Sequence, residues 1–508
     1  MHLCLAIGEV VERIADHIFD PPVDRAGVLV PMALVSCAFR DAALSVVWRD
    51  LDNLSVLYYV LPARVLSRVN DLYTVTQPLN DQEWRRFLWY TAKIRSIGSV
   101  SPYDIVQSKV VNIGLDWDSV MRYHPGDRLL PNLEAVHCSE ISTPGWLPQF
   151  IRPPLRELTI RFPEPWDATP LLEACRSCAG TMAHFEYSPP SLPRVSVEAE
   201  TLQAERVSQA ILSFEVLRTL IVPQITPEAF RHIGSLSSLK QLTTRLPEGF
   251  QTPANIPFHS LEHLELSYES LDAAPLIILL THTAAPGLTE LQIAHTRRGP
   301  PCSPSPAGTL ALLHLLPKFT SLHSLTLLAQ HGEHFDLNEL SQPEHALTAL
   351  APLLALRHLT HLDLRDTHIS PTPVELDAII GAWPHIATLR LGDDAHDGAP
   401  TLQLEDLLPF ALRCARLEAL GLRVAVDGEK EYGEGMPSGE SQSGVRYLWL
   451  GALTGPGSYR GAVRYIESLF PDALVHPSAS FRTGDEAWRA MNELMAYSEG
   501  DDPESYYP

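Results

Sequence analysis

The chain has 508 residues, of which 45% are apolar, enough for a large core. Its 38 Lys and Arg against 61 Asp and Glu give a formal net charge of −23. That balance speaks against nucleic acid or an anionic membrane surface as the main partner, because both are bound largely by neutralising phosphates.

The first residues carry acids every few positions and no basic leader region, so no secretory signal is expected. Ile7, Val10, Val11, Ile14 and Ile18 recur at helical spacing, which predicts an amphipathic helix over 5–19. Asp20-Pro21-Pro22 ends it, since proline lacks the N–H donor and clashes with the preceding turn. A second apolar segment, 28–36, has Pro31 near its start, where a helix tolerates it. The third repeats the stripe as Phe39, Ala42, Ala43, Val46 and Val47 and runs into Trp48. Residues 1–52 therefore read as a small three-helix module. Residues 53–128 read as a helical linker with irregular stretches, the best helix lying at 81–94.

From about residue 130 one phrase returns: apolar, two variable residues, apolar, one variable residue, apolar. It reads LRELTI at 155–160, MAHFEY at 182–187, LRTLIV at 217–222, LKQLTT at 239–244, LEHLEL at 261–266, LTELQI at 288–293, LHSLTL at 322–327, LTHLDL at 359–364, IATLRL at 386–391, LEALGL at 417–422 and VRYLWL at 445–450, with a weaker LEAVHC at 133–138 before them. The second half of the phrase alternates, as a strand with one buried side does. One such strand cannot bury that side alone; stacked parallel to its neighbours, with the intervening segments folding back as helices such as 371–384 and 404–416, it can. The prediction is an α/β chain with a solenoid over 129–475, strands on the concave side and helices on the convex side. The Pro/Ser/Gly-rich stretch 297–308 and the polar, Gly/Ser-rich stretch 427–444 are expected to be loops, and 476–508 a C-terminal segment with an acidic tail.

The repeats resemble the leucine-rich repeat family in an irregular form; the asparagine that usually follows the strand is missing from almost every copy. The front module, "IGEVVERIADHI", a proline stop and then "ALVSCAFRDAALSVVWRDL", resembles an F-box of the kind found in fungal F-box proteins of this length. Where that family usually opens with Leu-Pro, this chain has Ile7-Gly8. The resemblance implies a substrate-recognition subunit of an SCF-type ubiquitin ligase. The module would dock to a Skp-type adaptor on a cullin scaffold, and the repeats would hold a protein substrate. By that match the adaptor-binding residues are Ile7, Val10, Val11, Ile14, Leu34, Val35, Phe39 and Trp48. The same side chains would serve equally as the module's own core, Trp48 being the one a small module hides least easily.

Residues between the leucines of each phrase point away from the core. As substrate-binding candidates they give Glu157, Glu186, His263, Glu265, Glu290, Gln292, His361, Asp363, Arg365, Arg390, Tyr447 and Trp449. The face reads as acidic in its middle, suited to a basic partner segment against Glu186, Glu265 and Glu290, with Trp449 as an aromatic anchor.

Catalytic patterns are missing from the sequence. There is no phosphate-binding glycine loop, no nucleophile elbow and no His-Glu-x-x-His motif. Cys175-x-x-Cys178 has metal or redox spacing but no second pair near it. The seven cysteines are scattered as reduced thiols of a cytoplasmic or nuclear protein would be. The longest apolar run, 273–280, is far short of a membrane span. No enzyme activity, cofactor or metal is expected. The alternative to the ligase subunit is a leucine-rich-repeat interaction scaffold with no ubiquitin role, its front helices acting only as a cap.

Overall fold

A computed structural model describes residues 8–18, 29, 31–69, 72–98, 114–124, 126, 128–138, 147–161, 167–188, 197–246, 250, 256–268, 273–296, 306–329, 350–367, 369, 371–392, 400–427, 430, 432, 444–454 and 459–477. The chain divides into two compact units, residues 1–229 and 230–508.

In the first unit, helix α1 (Gly8–Ile18) packs on helix α2 (Cys37–Val47). Ser36 caps α2 in an extended conformation, its hydroxyl accepting from the Phe39 N–H at 3.4 Å. Ala15, Leu29, Ala43 and Val46 form the centre of this module. Helix α3 (Asp81–Thr91) matches the expected 81–94 segment and opens with a capping box between Asn80 and Glu83.

Six strands of this unit lie side by side and parallel in the order β1 (Asp50–Leu51), β4 (Ser96–Ile97), β6 (Ala135–Cys138), β7 (Glu157–Arg161), β8 (His184–Ser188) and β9 (Thr219–Gln224). The sheet thus begins at Asp50, well before the start near 129 that the leucine phrase predicts. Residues 53–128 also carry a small separate sheet of β2 (Leu66–Val69), β3 (Leu72–Val75) and β5 (Gly114–Leu115) rather than helices alone. Strands of two residues are too short to show a period, which is why they are not legible in the sequence. Gly98, just after β4, has φ +85°, and a Cβ there would lie 1.9 Å from the His137 carbonyl oxygen. Only glycine lets the chain leave β4 so close to β6.

Among the described residues of the second unit, nine strands lie parallel in the order β10 (Gln241–Leu246), β12 (His263–Tyr268), β14 (Glu290–His295), β15 (Ser324–Ala329), β16 (His361–Leu364), β17 (Thr388–Leu391), β19 (Ala419–Asp427), β20 (Tyr447–Thr454) and β21 (Leu474–Pro477). The short strand β18 (Leu402–Gln403) adds to β19, and β11 (Ile256–Pro257) pairs with β13 (Thr283–Ala284) between the return segments.

The leucines of successive phrases stand in register. Leu242, Leu264, Leu291, Leu325, Leu362, Leu389, Leu420 and Leu448 are cross-strand partners in turn, none more than 2% exposed. Each contributes about 1.5–3 kcal/mol by leaving water. The first apolar residue of each phrase, from Leu239 through Leu261, Leu288, Leu322 and Leu359 to Leu417, is buried beside them. This is the repeated strand-and-return arrangement that the leucine-rich-repeat resemblance implies.

The expected helices 371–384 and 404–416 are present as Pro373–Ala382 and as a 3₁₀ turn running into Leu408–Arg413. Both, like Thr169–Cys175 and Ala274–His282, have proline in the first turn, where its missing N–H costs nothing. Of the expected loop 297–308, residues 306–308 open the helix Pro306–Leu315 instead; 297–305 lie outside the described residues, as does most of 427–444. The sheet runs to residue 477, two residues past the expected end at 475, and the tail beyond is outside the described residues. Among the described residues, no helix is long and apolar enough to cross a membrane.

Candidate functional site

Two surfaces come from the residues that the sequence singles out. The first is the front module. Ile7 lies outside the described residues. Val11 is fully buried inside the chain, so it is core and not an adaptor anchor. Val10, Ile14 and Phe39 are half-buried. Leu34 and Val35, on the turn before α2, are 82% and 69% exposed.

Trp48 is half-buried and already has a partner within the chain: its ring lies 4.8 Å from that of Tyr90 on α3, tilted by 54°. The turn after α3 ties the two parts further. Lys93 donates to the Ser45 hydroxyl at 2.7 Å, and its ammonium lies 4.2 Å from the centre of the Trp89 ring. Burial pulls the Lys93 pKa down, opposed by Asp41 and Glu12. Trp48 is therefore the seam between the front module and helix α3.

The second surface is the strand face of each unit. Cross-strand partners stand about 4.8 Å apart there, so side chains on neighbouring strands bond directly. In the first unit Glu157 is exposed, as expected. Glu186 is not open to a partner. Only 7% of its side chain is exposed, and Arg161 on the neighbouring strand donates to both of its oxygens, one at 3.1 Å. Arg161 was missed, although the alternation that selects 157 and 159 also selects 161. His184 lies 3.4 Å from the Thr159 hydroxyl and 3.9 Å from Glu186. Burial lowers the pKa of both His137 and His184, against the pull of Glu157 and Glu186.

In the second unit a groove of about 270 Å³ lies over β10, β12 and β14, and Gln241, Thr243, His263, Glu265, Glu290 and Gln292 line it. Its polar groups bond one another. Glu265 accepts from the Thr243 hydroxyl and the Gln292 amide, both at 3.2 Å, and His263 Nδ1 lies 2.7 Å from Glu290. Two carboxylates, Glu265 and Glu290, thus lie in this groove, each within hydrogen-bonding distance of a neighbouring side chain.

Further along, Asp363 is buried and accepts from Arg365 through both oxygens, at 3.0 Å from Nε. His361 is exposed and lies beside the Thr360 hydroxyl. Arg390 is only 5% exposed. It reaches over Gly421, its partner on β19, to place its guanidinium 4.2 Å from the centre of the Trp449 ring. Tyr447, Trp449 and His476 stand within 26° of parallel, with ring centres 5.4 to 6.0 Å apart. Burial and the nearby Arg390 charge both lower the His476 pKa. His476 was missed because LVHP carries no leucine phrase.

On these strand faces Glu186, Asp363 and Arg390 are shielded by the neighbours they bond or stack on. Comparison with known protein families and with curated proteins finds no match. Among solved structures the chain is similar to an internalin from Listeria monocytogenes strain 4b F2365, at 13% identity and a TM-score of 0.36, over 70% of this chain and 82% of that one.

No group of three or more His, Cys, Asp or Glu among the described residues is arranged to hold a metal ion. Cys175 and Cys178 are both buried, and burial pushes both thiols up, away from the thiolate that redox or metal chemistry needs. What the strand faces offer chemically is hydrogen bonding, charge and aromatic surface.

Proposed function

We propose that this chain is a protein-recruiting scaffold, and specifically the substrate-recognition subunit of an SCF-type ubiquitin ligase. In this reading the front module docks to a Skp-type adaptor on a cullin scaffold and the strand faces hold a protein substrate. The chain is then not itself an enzyme. It raises the concentration of its client near the ligase, in the cytoplasm and/or the nucleus. The observation that carries the reading is the exposure of Leu34 and Val35, two adjacent large apolar side chains held on a turn between packed helices. Such a pair is the type of anchor that fills an apolar pocket on a partner.

The test is co-precipitation of the full chain with a recombinant Skp-type adaptor. The wild type is expected to bind, and Leu34→Asp with Val35→Asp to lose at least tenfold. Because both positions are exposed, thermal melting should not change. Adaptor binding that survives the double substitution would overturn the assignment of these residues, and a wild-type chain that does not bind would overturn the ligase reading. The second reading, an interaction scaffold whose front helices only cap the repeats, is favoured by the packing of Trp48 on Tyr90 and by the burial of Val11.

A further inference from the structure

The carboxylates of Glu134, Glu186, Glu262 and Asp363, on or beside the strand faces, each hold a cation: Arg95, Arg161, Lys240 and Arg365. Glu265 departs from that pattern. It stands half-buried on β12, in the groove over β10, β12 and β14. Its hydrogen bonds come from the Thr243 hydroxyl and the Gln292 amide, both at 3.2 Å. Neither donor carries a charge, so neither offsets that of the carboxylate. Drawing a charge out of water is unfavourable unless a counter-charge meets it. A carboxylate offers about four lone-pair positions, and these two bonds leave half of them open. Thr243 and Gln292 reach Glu265 from the strands on its two sides, so its orientation is set before any ligand arrives.

The side chains around the groove do not bring the missing cation. Lys240 is taken by Glu262 at 2.7 Å. Arg245, the next outward residue of β10, does not line the groove, and its interaction is with neither carboxylate. His263 lies 2.7 Å from Glu290, not on Glu265. Glu290 pairs in register with His263, and Gln292 with Glu265, so the two carboxylates are diagonal neighbours on adjacent strands. Diagonal neighbours stand about 7–8 Å apart, and the Glu290 side chain is 49% exposed.

We infer that this groove receives an arginine side chain from an extended peptide segment of a partner protein, with Glu265 as its main counter-charge and Glu290 as the second. Charge complementarity selects the cation. Size selects a single side chain: the groove holds about 270 Å³, below the roughly 300–1,000 Å³ of sites for drug-sized molecules. Arginine suits the pair better than lysine, because its planar fork of five donors can serve two carboxylates at once. A metal ion is disfavoured, since no group of three or more His, Cys, Asp or Glu among the described residues is arranged to hold one. Such binding rests on the strand face being a protein-binding surface, but not on the adaptor.

The test uses the full chain and two fluorescein-labelled dodecapeptide pools read by fluorescence polarisation. Both have flanks drawn from Ala, Ser, Thr and Gln; one fixes arginine at the centre, the other citrulline, which keeps the shape and loses the charge. The arginine pool is expected to bind at least tenfold more tightly than the citrulline pool. Glu265→Gln keeps an oxygen for Thr243 and Gln292 and removes the charge; it should cost the arginine pool at least tenfold and leave the citrulline pool unchanged. Glu290→Gln, at a half-exposed side chain where folding is not at stake, should cost at least threefold. Val374→Ser, at an exposed position on the helix Pro373–Ala382, should change nothing. The assignment is overturned if the two pools bind alike, if neither binds, or if either glutamate substitution leaves the affinity for the arginine pool as it was. Adaptor co-precipitation of Glu265→Gln should match the wild type, which separates failure here from failure of the ligase reading.

Discussion

Leu325→Ala tests the architecture on which the strand face depends. Leu325 is fully buried on β15, with Leu291 and Leu362 as its register partners. The substitution removes three carbons, and at about 0.8 kcal/mol each their transfer is worth about 2.4 kcal/mol. The ladder is held on both sides by strands in register, so the site closes only in part. A residual void of about 50 Å³ adds about 1.2 kcal/mol at about 24 cal/mol per Å³. The total is about 3.6 kcal/mol, and at about 1.4 kcal/mol per tenfold this is two to three orders of magnitude in an opening equilibrium. The assay is native-state amide exchange read on β14, β15 and β16, because a two-unit chain does not guarantee one cooperative transition. These amides should exchange 10²- to 10³-fold faster in the variant. Thr326→Ala, the next residue on the opposite, half-buried side of the strand, should stay within about 0.5 kcal/mol of the wild type. Equal effects at 325 and 326, or less than a tenfold change at 325, would refute the shared leucine interior.

Arg161→Ala leaves the buried Glu186 carboxylate without its cation. Since Arg161 is itself half-exposed, the expected loss in urea denaturation is about 1–2 kcal/mol, with Arg161→Ala/Glu186→Gln recovering part of it. Trp48→Ala removes the ring that packs on Tyr90; the front module should lose about 2 kcal/mol, less than for a fully buried tryptophan, seen as faster proteolysis of residues 8–49 with the repeats intact. Acidification should weaken the first unit. His137 and His184 have folded pKa values below the ordinary 6.5, so the unfolded chain takes up protons first; their contribution is present above about pH 6.5 and is lost as pH falls through the lowered values. His184→Gln should flatten that part of the melting-temperature profile, and an unchanged profile would refute the assignment.

The periodic part of this protein was legible because its physics is periodic. A strand with one buried side alternates, and a stack repeats that alternation at every return, so Leu242, Leu291 and Leu362 declared both their strands and their shared interior. The front helices were legible for the same reason, through the stripe from Val10 to Ile18 and from Phe39 to Val47. Elements without a period were not: β1 and β4 are two residues long, and the β2–β3 hairpin carries no leucine phrase. The face of each repeat also followed from alternation, but its accessibility did not. Whether Glu186 waits for a partner depends on Arg161, which stands 25 residues away and meets it only across two adjacent strands. Arg390 likewise finds Trp449 only because Gly421 lies between them. The amino-acid order alone determined which side chains turn inward, since burial of a repeated apolar side is a local demand. Tertiary structure alone decided which outward-turned groups are free, because strands distant in sequence supply the atoms that satisfy them.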